Sequence, residues 1–514
     1  MRQHAPAGSM GEILYALEKA ITTGTITDIV PECMEQQAHN TLWRASSHNE
    51  LTLLKLIPTR STHSIKHEYD KVVSFGEDQG YGGFGTFSET SLPLETQPQF
   101  ERVETYVRLL GETSTTFLLA SMEKTIKVEG ATGAAPIGRK LLQLNLLRKK
   151  NRALYYSDTR TIRGGTGGAR FKGVLQLIEE GTDGTSGTSP YGSHVIDMEG
   201  QRLTIENMRQ RTAQVISQFG YVNSLIMDGF VRADLEGSMD AAQRLPLPIQ
   251  AKPFMLGQHI GGITTNGGQM FFHTDNLLAP IHAMGQYRAV ASPGAPGAPA
   301  VAGQINTVPV GGTSKWNAAD AGNNFWLVTE MKDERESLAT RYPTSGTAAV
   351  TQGDEAQLTI TPSNPLSDSF KIYRGDDSDS GDTDAWFAFE VANDNSGGAV
   401  VAYDLNQKRP GTSTVFGLNI RSESQAIIHS APGGVRSSYA TAVEESERFL
   451  GQPDDVTNTV TAVELGPSMG VMELAPILAT VARPLLYSAV AAQVRNPFQN
   501  IVWINVGTDS HPTP

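Results

Sequence analysis

Three glycines in the segment "FGEDQGYGGFGTFS", Gly80, Gly82 and Gly85, stand at the spacing G-x-G-x-x-G, which could bind the pyrophosphate of a dinucleotide. That chemistry needs a strand before the glycines and a helix opening from them. "KVVSF" can supply the strand, but "TFSETSLPLETQPQF" contains two prolines and mostly β-branched or small polar residues, which disfavour a helix. We therefore predict no cofactor and interpret the segment as the tip of a long β-hairpin, because glycine tolerates a tight reversal.

Other residues that could do chemistry also have a simpler interpretation. His273 and Asp275 in "FFHTDN" could form an acid-base pair, but no nucleophile in a glycine elbow lies nearby, so a strand end followed by a polar turn is favoured. The acidic run "GDDSDSGDTD" has Ala388 at position twelve, counted from Asp377, where a calcium loop needs glutamate, and a hairpin turn is favoured. Eleven histidines without zinc spacing and a single cysteine, Cys33, predict neither a metal site nor a disulfide. We expect no catalytic function.

Charge is unevenly distributed in a chain of net charge -13, a value that argues against a dedicated nucleic-acid reader. Four acids lie on the glycine-tipped arm: Glu77, Asp78, Glu89 and Glu95. Ten basic residues against one acid lie between Ile137 and Gly173, among them Arg139, Lys140, Arg148, Lys149, Lys150 and Arg152. Such blocks are usually solvated faces, but this one could also bind phosphate or meet an acidic surface of another copy of the chain.

The 514 residues predict more than one packed unit. Helical spacing predicts helices in "SMGEILYALEKAITTG", "FKGVLQLIEEG" and "SSYATAVEESERFLG", and in "TIENMRQRTAQVISQFG", which begins at Thr204 and stops at Gly220. The longest helix is "GAAPIGRKLLQLNLLRKKNRALYYSD", with Ile137, Leu141, Leu144, Leu147 and Leu154 on one side and charges on the other. The run "VMELAPILATVARPLLYSAVAAQV" is interrupted by charges and prolines, so we predict a buried helix pair and no membrane span. "QNIVWINVG" is a closing strand.

The residue pattern of the sequence changes at "SPGAPGAPAVAGQ", which we interpret as a Pro/Gly/Ala hinge. Beyond it, "NNFWLVTEM", "AQLTITP", "SFKIYRG" and "AWFAFEVA" alternate as short strands, and helical signals vanish between about 290 and 420. The sequence therefore predicts an inserted all-β sandwich of about a hundred residues, a normal size for that architecture.

The order of these parts resembles the major capsid proteins of tailed bacteriophages, the Hong Kong 97-type fold: an arm, a glycine-tipped hairpin, a long helix ending "NRALYYSD", then "GGTGGARFKGVLQLIEEG" and "LTIENMRQRTAQVISQFG". The resemblance implies an α+β chain with these domains: 1-70 N-terminal arm, 71-112 extended loop, 113-200 spine helix and peripheral domain, 201-289 first part of the axial domain, 290-420 immunoglobulin- or fibronectin type III-like insertion, 421-465 second part of the axial domain, and 466-514 closing peripheral-domain helix and strand.

The resemblance implies a shell protein that assembles into hexamers and pentamers of an icosahedral head around double-stranded DNA in the bacterial cytoplasm. Its arm would lie on a neighbouring subunit, with Gly82 and Gly83 in a flexible tip and the arm acids meeting the basic helix. Residues 72-100 contain no lysine, so covalent crosslinking through this loop is not expected. Implied partners are a separate scaffolding protein, a portal and a possible decoration protein, with non-specific DNA contact and no membrane. The alternatives are an encapsulin-like shell or tail-tube protein, and a secreted or surface β-rich carbohydrate-binding adhesin.

Overall fold

The computed structural model describes residues 51–74, 99–113, 116–117, 127–128, 131–132, 134–162, 170–182, 193–217, 222–238, 261–265, 268–279, 285–318, 320–375, 385–394, 397–420, 460–474 and 481–508. These residues fall into two compact units. One unit includes Leu109–Lys150 and Glu464–Val490, and the other includes Leu51–Arg108, Asn151–Val463 and Ala491 onward. The predicted helices at 9–24 and 437–451, the acidic run at 376–384 and Cys33 lie outside the described residues.

The described part of the chain is a mixed α/β structure. Its α-helices, numbered in chain order, are α1 Thr52–Leu56, α2 Ala134–Tyr156, α3 Val174–Thr182, α4 Ile205–Ser217 and α5 Gly229–Ser238. Its strands are β1 Thr59–Thr62, β2 Lys66–Ser74, β3 Gln99–Tyr106, β4 Arg108–Thr113, β5 Thr116–Phe117, β6 Lys127–Val128, β7 Ala131–Thr132, β8 Val195–Asp197, β9 Ser224–Met227, β10 Gly262–Thr265, β11 Gly268–Thr274, β12 Ala300–Asn306, β13 Gly322–Lys332, β14 Arg335–Glu336, β15 Thr340–Tyr342, β16 Ala348–Val350, β17 Glu355–Thr361, β18 Ser369–Gly375, β19 Trp386–Ala392, β20 Val400–Asp404, β21 Ser413–Leu418, β22 Val460–Leu465, β23 Gly470–Leu474, β24 Val481–Val494 and β25 Ile501–Val506.

Three of the predicted helices are confirmed as α2, α3 and α4. Helix α4 begins after Thr204, whose hydroxyl accepts a hydrogen bond from the backbone N–H of Asn207 at 3.2 Å. This bond satisfies one of the N–H groups that the first turn leaves unpaired, as expected of a threonine cap. The sequence "YVNSLIMDGFVRADL", which fits either a strand or a helix, contains one of each, β9 and α5.

The predicted apolar side of α2 is borne out at Leu154 and contradicted at Leu144 and Leu147, while the side chains of Ile137 and Leu141 are not described. The chain buries Leu142, Leu146, Leu154 and Tyr155, whereas Leu144 and Leu147 are only half-buried. Leucines lie on more than one side of this helix, so spacing alone does not select the buried side. The same face also buries two polar side chains, those of Lys150 and Asn151. Their partners within the chain decide which side of the helix turns inward.

The predicted helix pair from Val471 is also wrong. The run forms β23 and the 14-residue β24, which pair antiparallel with Gly470 opposite Tyr487 and Leu474 opposite Arg483. Residues 488–494 of β24 are buried without interruption, so this part of the strand lacks the polar-apolar alternation that marks a strand. A continuous apolar run fits a buried helix equally well, and here tertiary pairing selects the strand. In its described residues, the closing domain at 466-514 therefore contains strands and one short 3-10 helix, Pro497–Gln499, in place of the predicted helix pair.

A six-stranded sheet of order β10-β11-β9-β21-β25-β8 organises the larger unit. β9 runs parallel to β11 and antiparallel to β21, and its four residues are fully buried. β21 comes from residues that we assigned to the insertion at 290-420, so the insertion ends before Ser413. Gly417 lies in this strand with Trp503 against it, and a Cβ there would stand only 3.0 Å from the indole ring.

The predicted all-β insertion contains two sheets, one of order β12-β17-β20 and one built on β14-β13-β18-β19 with β15 and β16 on β13. All four strands predicted from short alternating segments are present, as β13, β17, β18 and β19. One core joins the inner faces of both sheets, with Trp326 and Phe370 from one and Leu358 and Ala402 from the other. The predicted alternation in β19 is interrupted by a register shift opposite Ile372 and Tyr373, so Phe387 packs in a second cluster, apart from Phe389.

Candidate assembly surface

The predicted hairpin is present as a two-stranded ribbon. β2 and β3 pair antiparallel from Lys66 opposite Tyr106 to Ser74 opposite Gln99, and no other described strand pairs with either. An isolated two-stranded hairpin is marginally stable in water. The ribbon therefore needs support either from its own root or from another surface.

The outer face of the ribbon carries a ladder of opposite charges. Glu68 and Glu104 stand directly opposite each other, a pairing that would repel, and the ammonium of Lys66 bonds to both carboxylates. Those two hydrogen bonds, first to Glu104 and then to Glu68, raise the pKa of Lys66, and the pKa of Glu68 is lowered by the same bond. Arg102 lies 3.4 Å from its cross-strand partner Asp70. The charged side chains of the ladder therefore pair with one another within the ribbon, and one acid is in excess.

The opposite face of the ribbon is fixed to the chain at its root. Tyr69 is buried, and this burial raises the pKa of its phenol to about 12 although the hydroxyl bonds to the backbone of Val494. The ring of His67 bonds through Nε2 to Oε1 of Gln493 at 3.2 Å, and the hydroxyl of Thr461 donates to the same oxygen at 3.3 Å. β24 and β22 thus hold the first four residues of β2. The ribbon is anchored at one end only, within the residues that the structure describes.

The six predicted contact residues on the arm, listed last in this sentence, lie outside the described residues: Glu77, Asp78, Gly82, Gly83, Glu89 and Glu95. The flanking pairing of β2 with β3 is consistent with a reversal between Ser74 and Gln99. Contact of these six residues with a neighbouring subunit stays a prediction.

The six predicted basic partners lie on α2, but two of them are occupied within their own chain. The ammonium of Lys150 is buried and bonds to the carboxylate of Glu464, with the hydroxyl of Ser468 at 3.5 Å. Lys149 lies 3.5 Å from a carboxylate oxygen of Glu112 and donates to the carbonyl of Gly111 at 3.4 Å. Lys150 is therefore withdrawn from the predicted basic surface, because a side chain that is 2% exposed has no ammonium to offer a neighbour.

The other four predicted basic residues are described to different degrees. Arg152 is exposed and Arg148 is half-buried, and both have interactions within the chain. Arg139 and Lys140 belong to the first turns of α2, where the side chains are not described. A surface that takes up the acids of the arm would be built on these four residues rather than on the Lys149–Lys150 pair.

A buried polar hub positions the end of α2. The side-chain amide of Asn151 accepts from the backbone N–H of Leu54 at 3.1 Å and donates to Asp275 at 2.9 Å. The hydroxyl of Tyr155 donates to the same carboxylate at 3.0 Å, and Asp275 also caps the turn that begins at Asn276. Burial, followed by the neighbouring Asp275 charge, raises the pKa of Tyr155. The residues that suggested an acid-base pair thus have structural roles.

His273 fits the strand-end interpretation as well. It is in β11, and burial, reinforced by the charge of Arg232, lowers the pKa of its imidazole. A search of the described residues found no group of three or more histidine, cysteine, aspartate or glutamate side chains that could hold a metal ion. Within that part of the chain, no helix is long and apolar enough to cross a membrane.

Sequence reasoning missed the residues that anchor and stabilise the ribbon, namely His67, Tyr69, Gln493 and the charge ladder. The ladder could have been found, because "KHEYD" and "ERVETY" alternate charged with uncharged residues, the pattern of a strand with one polar face. Gln493 gave no signal, since it stands in an apolar run more than four hundred positions from His67.

Comparison with known proteins gives matches in structure alone. No family model matches the chain, and no curated protein matches it in sequence. The holo-SrpI encapsulin complex from Synechococcus elongatus PCC 7942 is similar at 8% identity and a TM-score of 0.38, over 91% of each chain. The capsid of a native GTA particle is similar at 9% identity and a TM-score of 0.38, over 89% of this chain and 90% of that one. A structure of Mycobacterium phage Adephagia matches at 8% identity and a TM-score of 0.37, over 93% of this chain and 95% of that one. These TM-scores are low, and the function proposed below rests on the geometry of the chain's own elements.

Proposed function

We propose that this chain is a shell-forming capsid protein of the Hong Kong 97 type, which assembles into hexamers and pentamers of a phage head around double-stranded DNA. The observation that carries the proposal is the β2–β3 ribbon. It is anchored at its root by β24, pairs with no third described strand and continues for more than twenty residues between its two legs. Such a ribbon gains stability by lying on another protein surface, and copies of the same chain are the partner that a closed shell supplies.

The long helix α2 supports the same proposal. Its 23 residues reach about 34 Å at 1.5 Å per residue, the length expected of a spine helix. Its C-terminal end is held by the Asn151, Tyr155 and Asp275 hub, so the basic residues along it have a defined position. In the proposed assembly, Arg139, Lys140, Arg148 and Arg152 take up either the acidic arm of a neighbour or packaged DNA.

The proposed partners follow from this assembly. The chain would associate with copies of itself, with a separate scaffolding protein and a portal during head formation, and with an optional decoration protein on the finished shell. Its location would be the virion after assembly in the bacterial cytoplasm. The insertion would be an immunoglobulin- or fibronectin-like module of that shell.

Particle size tests the proposal most directly. We expect the purified chain, alone or with its scaffolding protein, to form closed particles visible by electron microscopy and sedimenting far ahead of any small oligomer. An encapsulin-like shell would form particles that package protein rather than DNA, and a tail-tube protein would form open tubes. A carbohydrate-binding adhesin would remain a small oligomer, and this result would overturn the proposal.

A loop replacement tests the ribbon itself. Residues 75–98 would be replaced by Asn-Gly, which joins β2 and β3 through a tight turn and keeps the root intact. We expect a protein with an unchanged melting temperature that no longer forms particles. The matched control replaces residues 376–384, which connect β18 to β19 in the sequence, in the same way, and should leave assembly unaffected. Particles formed by the first variant would contradict the role of the ribbon.

A further inference from the structure

At its entry, where a flexible connection was expected from the sequence, the insertion is bonded to its own strands. The backbone of Tyr287 donates to the carbonyl of Ala385 at 2.8 Å, and Phe387 donates to the carbonyl of Gly285 at 3.2 Å. The ring of Tyr287 lies 5.5 Å from that of Tyr373 and belongs to the cluster that contains Phe387. The chain therefore enters the insertion as part of its sheet.

The predicted Pro/Gly/Ala hinge is also packed, which corrects the earlier interpretation. The N–H of Ser292 donates to the carbonyl of Glu336 at 2.9 Å, and the hydroxyl of Ser363 donates to the carbonyl of Gly297 at 2.9 Å. The hydroxyl of Thr340 donates to the carbonyl of Pro299. Proline and glycine mark a turn here, and the carbonyl groups of that turn are bonded to the insertion.

Arg409 joins the exit of the insertion to the main sheet. Its backbone N–H donates to Oδ1 of Asn505 in β25 at 2.9 Å, and Nδ2 of Asn505 donates to the carbonyl of Gln407 at 2.8 Å. Its guanidinium bonds to the carbonyl of Glu199, beside β8, and forms an ion pair with Asp320 of the insertion at 2.7 Å. Arg409 thus contacts the main body through its backbone, and both the main body and the insertion through its side chain.

Arg170 makes a second, independent connection across the junction. Its two terminal nitrogens reach the two oxygens of Glu390 in β19 at 2.7 and 3.1 Å, the fork geometry that makes arginine–carboxylate pairs strong. The side chain of Glu390 is 6% exposed and also accepts from the hydroxyl of Ser369, so Arg170 supplies the opposite charge beside a buried carboxylate. Arg170 stands just before α3, whose first turn lies next to the Ser157–Gly173 backbone contact.

We propose that Arg170 and Arg409 fix the orientation of the insertion, so that residues 285–409 and the main sheet of the larger unit open and unfold as one cooperative body. Two modules in one chain move relative to each other by default when their interface is small and polar. Here Arg409 is bonded on both sides of the junction, and Arg170, which belongs to the main body, is bonded to Glu390 of the insertion. The arginines act as positioning residues, and the insertion is a fixed extension of the main body rather than a module on a tether.

Native-state hydrogen exchange of the full chain, followed by mass spectrometry at increasing denaturant, tests this proposal. In the wild type we expect peptides from β13 and β18 to lose protection at the same denaturant concentration as peptides from β9 and β25. In the double variant Arg170→Met, Arg409→Met we expect the two groups to separate, with opening of the insertion at least about tenfold more frequent than that of the main sheet.

A matched control distinguishes lost coupling from general damage. Arg341 lies inside the insertion, with its guanidinium 4.2 Å from the centre of the Phe325 ring. Arg341→Met should lower protection in both groups together, because it weakens the body without touching the junction. If the double variant does not fold, the single variants Arg170→Met and Glu390→Gln are compared in the same way. The proposal is overturned if the wild type already opens in two separate steps, or if the groups stay together in every junction variant that folds.

Discussion

The β2–β3 ribbon and the inserted sandwich use acid–base pairs in opposite ways. On the ribbon, Lys66 and Arg102 are 39% and 68% exposed, and their carboxylate partners are similarly open to water. In the sandwich, Arg374 and Asp404 are 6% and 2% exposed and lie 2.9 Å apart. Strands of both regions carry oppositely charged side chains that pair. The pairs of the ribbon are exposed to water, whereas the pair in the sandwich is buried. Exposed pairs contribute little to stability, whereas a buried charge is costly once its partner is removed.

The buried pair of the sandwich is part of a larger network. Asp404 accepts from the indole N–H of Trp326 at 2.8 Å, and Arg374 donates to Asn406 at 2.6 Å. The guanidinium of Arg374 also lies 4.4 Å from the centre of the Trp316 ring. Each charge has partners on several sides, and the network fixes the two sheets relative to each other. The ribbon has no such network, so a surface outside it must supply its stability.

The largest expected effect is on the sandwich. Arg374→Met leaves the carboxylate of Asp404 buried without its cation, and we expect a loss of about 3 kcal/mol in the free energy of unfolding. Denaturant unfolding of the soluble chain measures it. The control Lys371→Met removes a half-buried pair with Glu336 in the same sheet and should cost less than about 1 kcal/mol. Equal losses in the two variants would contradict the comparison.

Lys150 in α2 tests the same rule in the other unit. Lys150→Met leaves the buried carboxylate of Glu464 without its cation and should lower the free energy of unfolding by about 2 to 3 kcal/mol. Lys149→Met changes a side chain that is 28% exposed and should lower it by less than about 1 kcal/mol. A double variant, Lys150→Met with Glu464→Leu, should recover most of the loss. Reversing the charge of Lys150 is therefore not expected to rescue arm variants such as Glu89→Lys with Glu95→Lys. Rescue by that reversal would show that Lys150 faces a neighbour.

A smaller effect of opposite sign is expected at Lys408. Burial lowers the pKa of its ammonium from 10.5 to about 8, and the contact with the Phe387 ring, 4.9 Å away, offsets only part of that cost. Between pH 8 and 10.5 the folded side chain is neutral while the unfolded one is protonated, so this residue's contribution to stability rises with pH across that window. Lys408→Met should therefore stabilise the chain by about 1 kcal/mol near pH 7. Thermal melts at pH 7 and pH 10.5 should show the advantage shrinking, and a constant advantage would contradict the burial argument.

The smallest effect is expected on the ribbon. Lys66→Met removes the cation between Glu68 and Glu104, and the melting temperature of the unassembled chain should fall only at low salt, where the repulsion of the two carboxylates is unscreened. If the chain assembles as proposed, the same variant should lose more stability in assembled particles, because the ribbon would then lie on a neighbour. A large loss in the unassembled chain at physiological salt would show that the ribbon depends on its own charges.

The sequence by itself determined those elements whose signals are local. The legs of the hairpin, the helices α2, α3 and α4 and four strands of the insertion each carry a period or a cap within a few residues. The expectation that no helix follows the glycines, which argued against a dinucleotide site, also rests on local composition and stays a prediction, because those residues lie outside the described part of the chain. Near-neighbour chemistry is sufficient in these cases because the backbone preference and the side-chain pattern agree.

Tertiary structure decided the features whose partners are distant in the chain. The run from Val471 became strands because β24 pairs with β22 on one side and with β23 on the other, and its sequence fits a buried helix as well. Lys150 is buried because it bonds to Glu464, which lies more than three hundred positions away in the sequence. The Pro/Gly segment is packed because Ser363 and Glu336 form hydrogen bonds with its backbone. In each case the local sequence is compatible with two outcomes, and a contact that no local pattern records selected one of them.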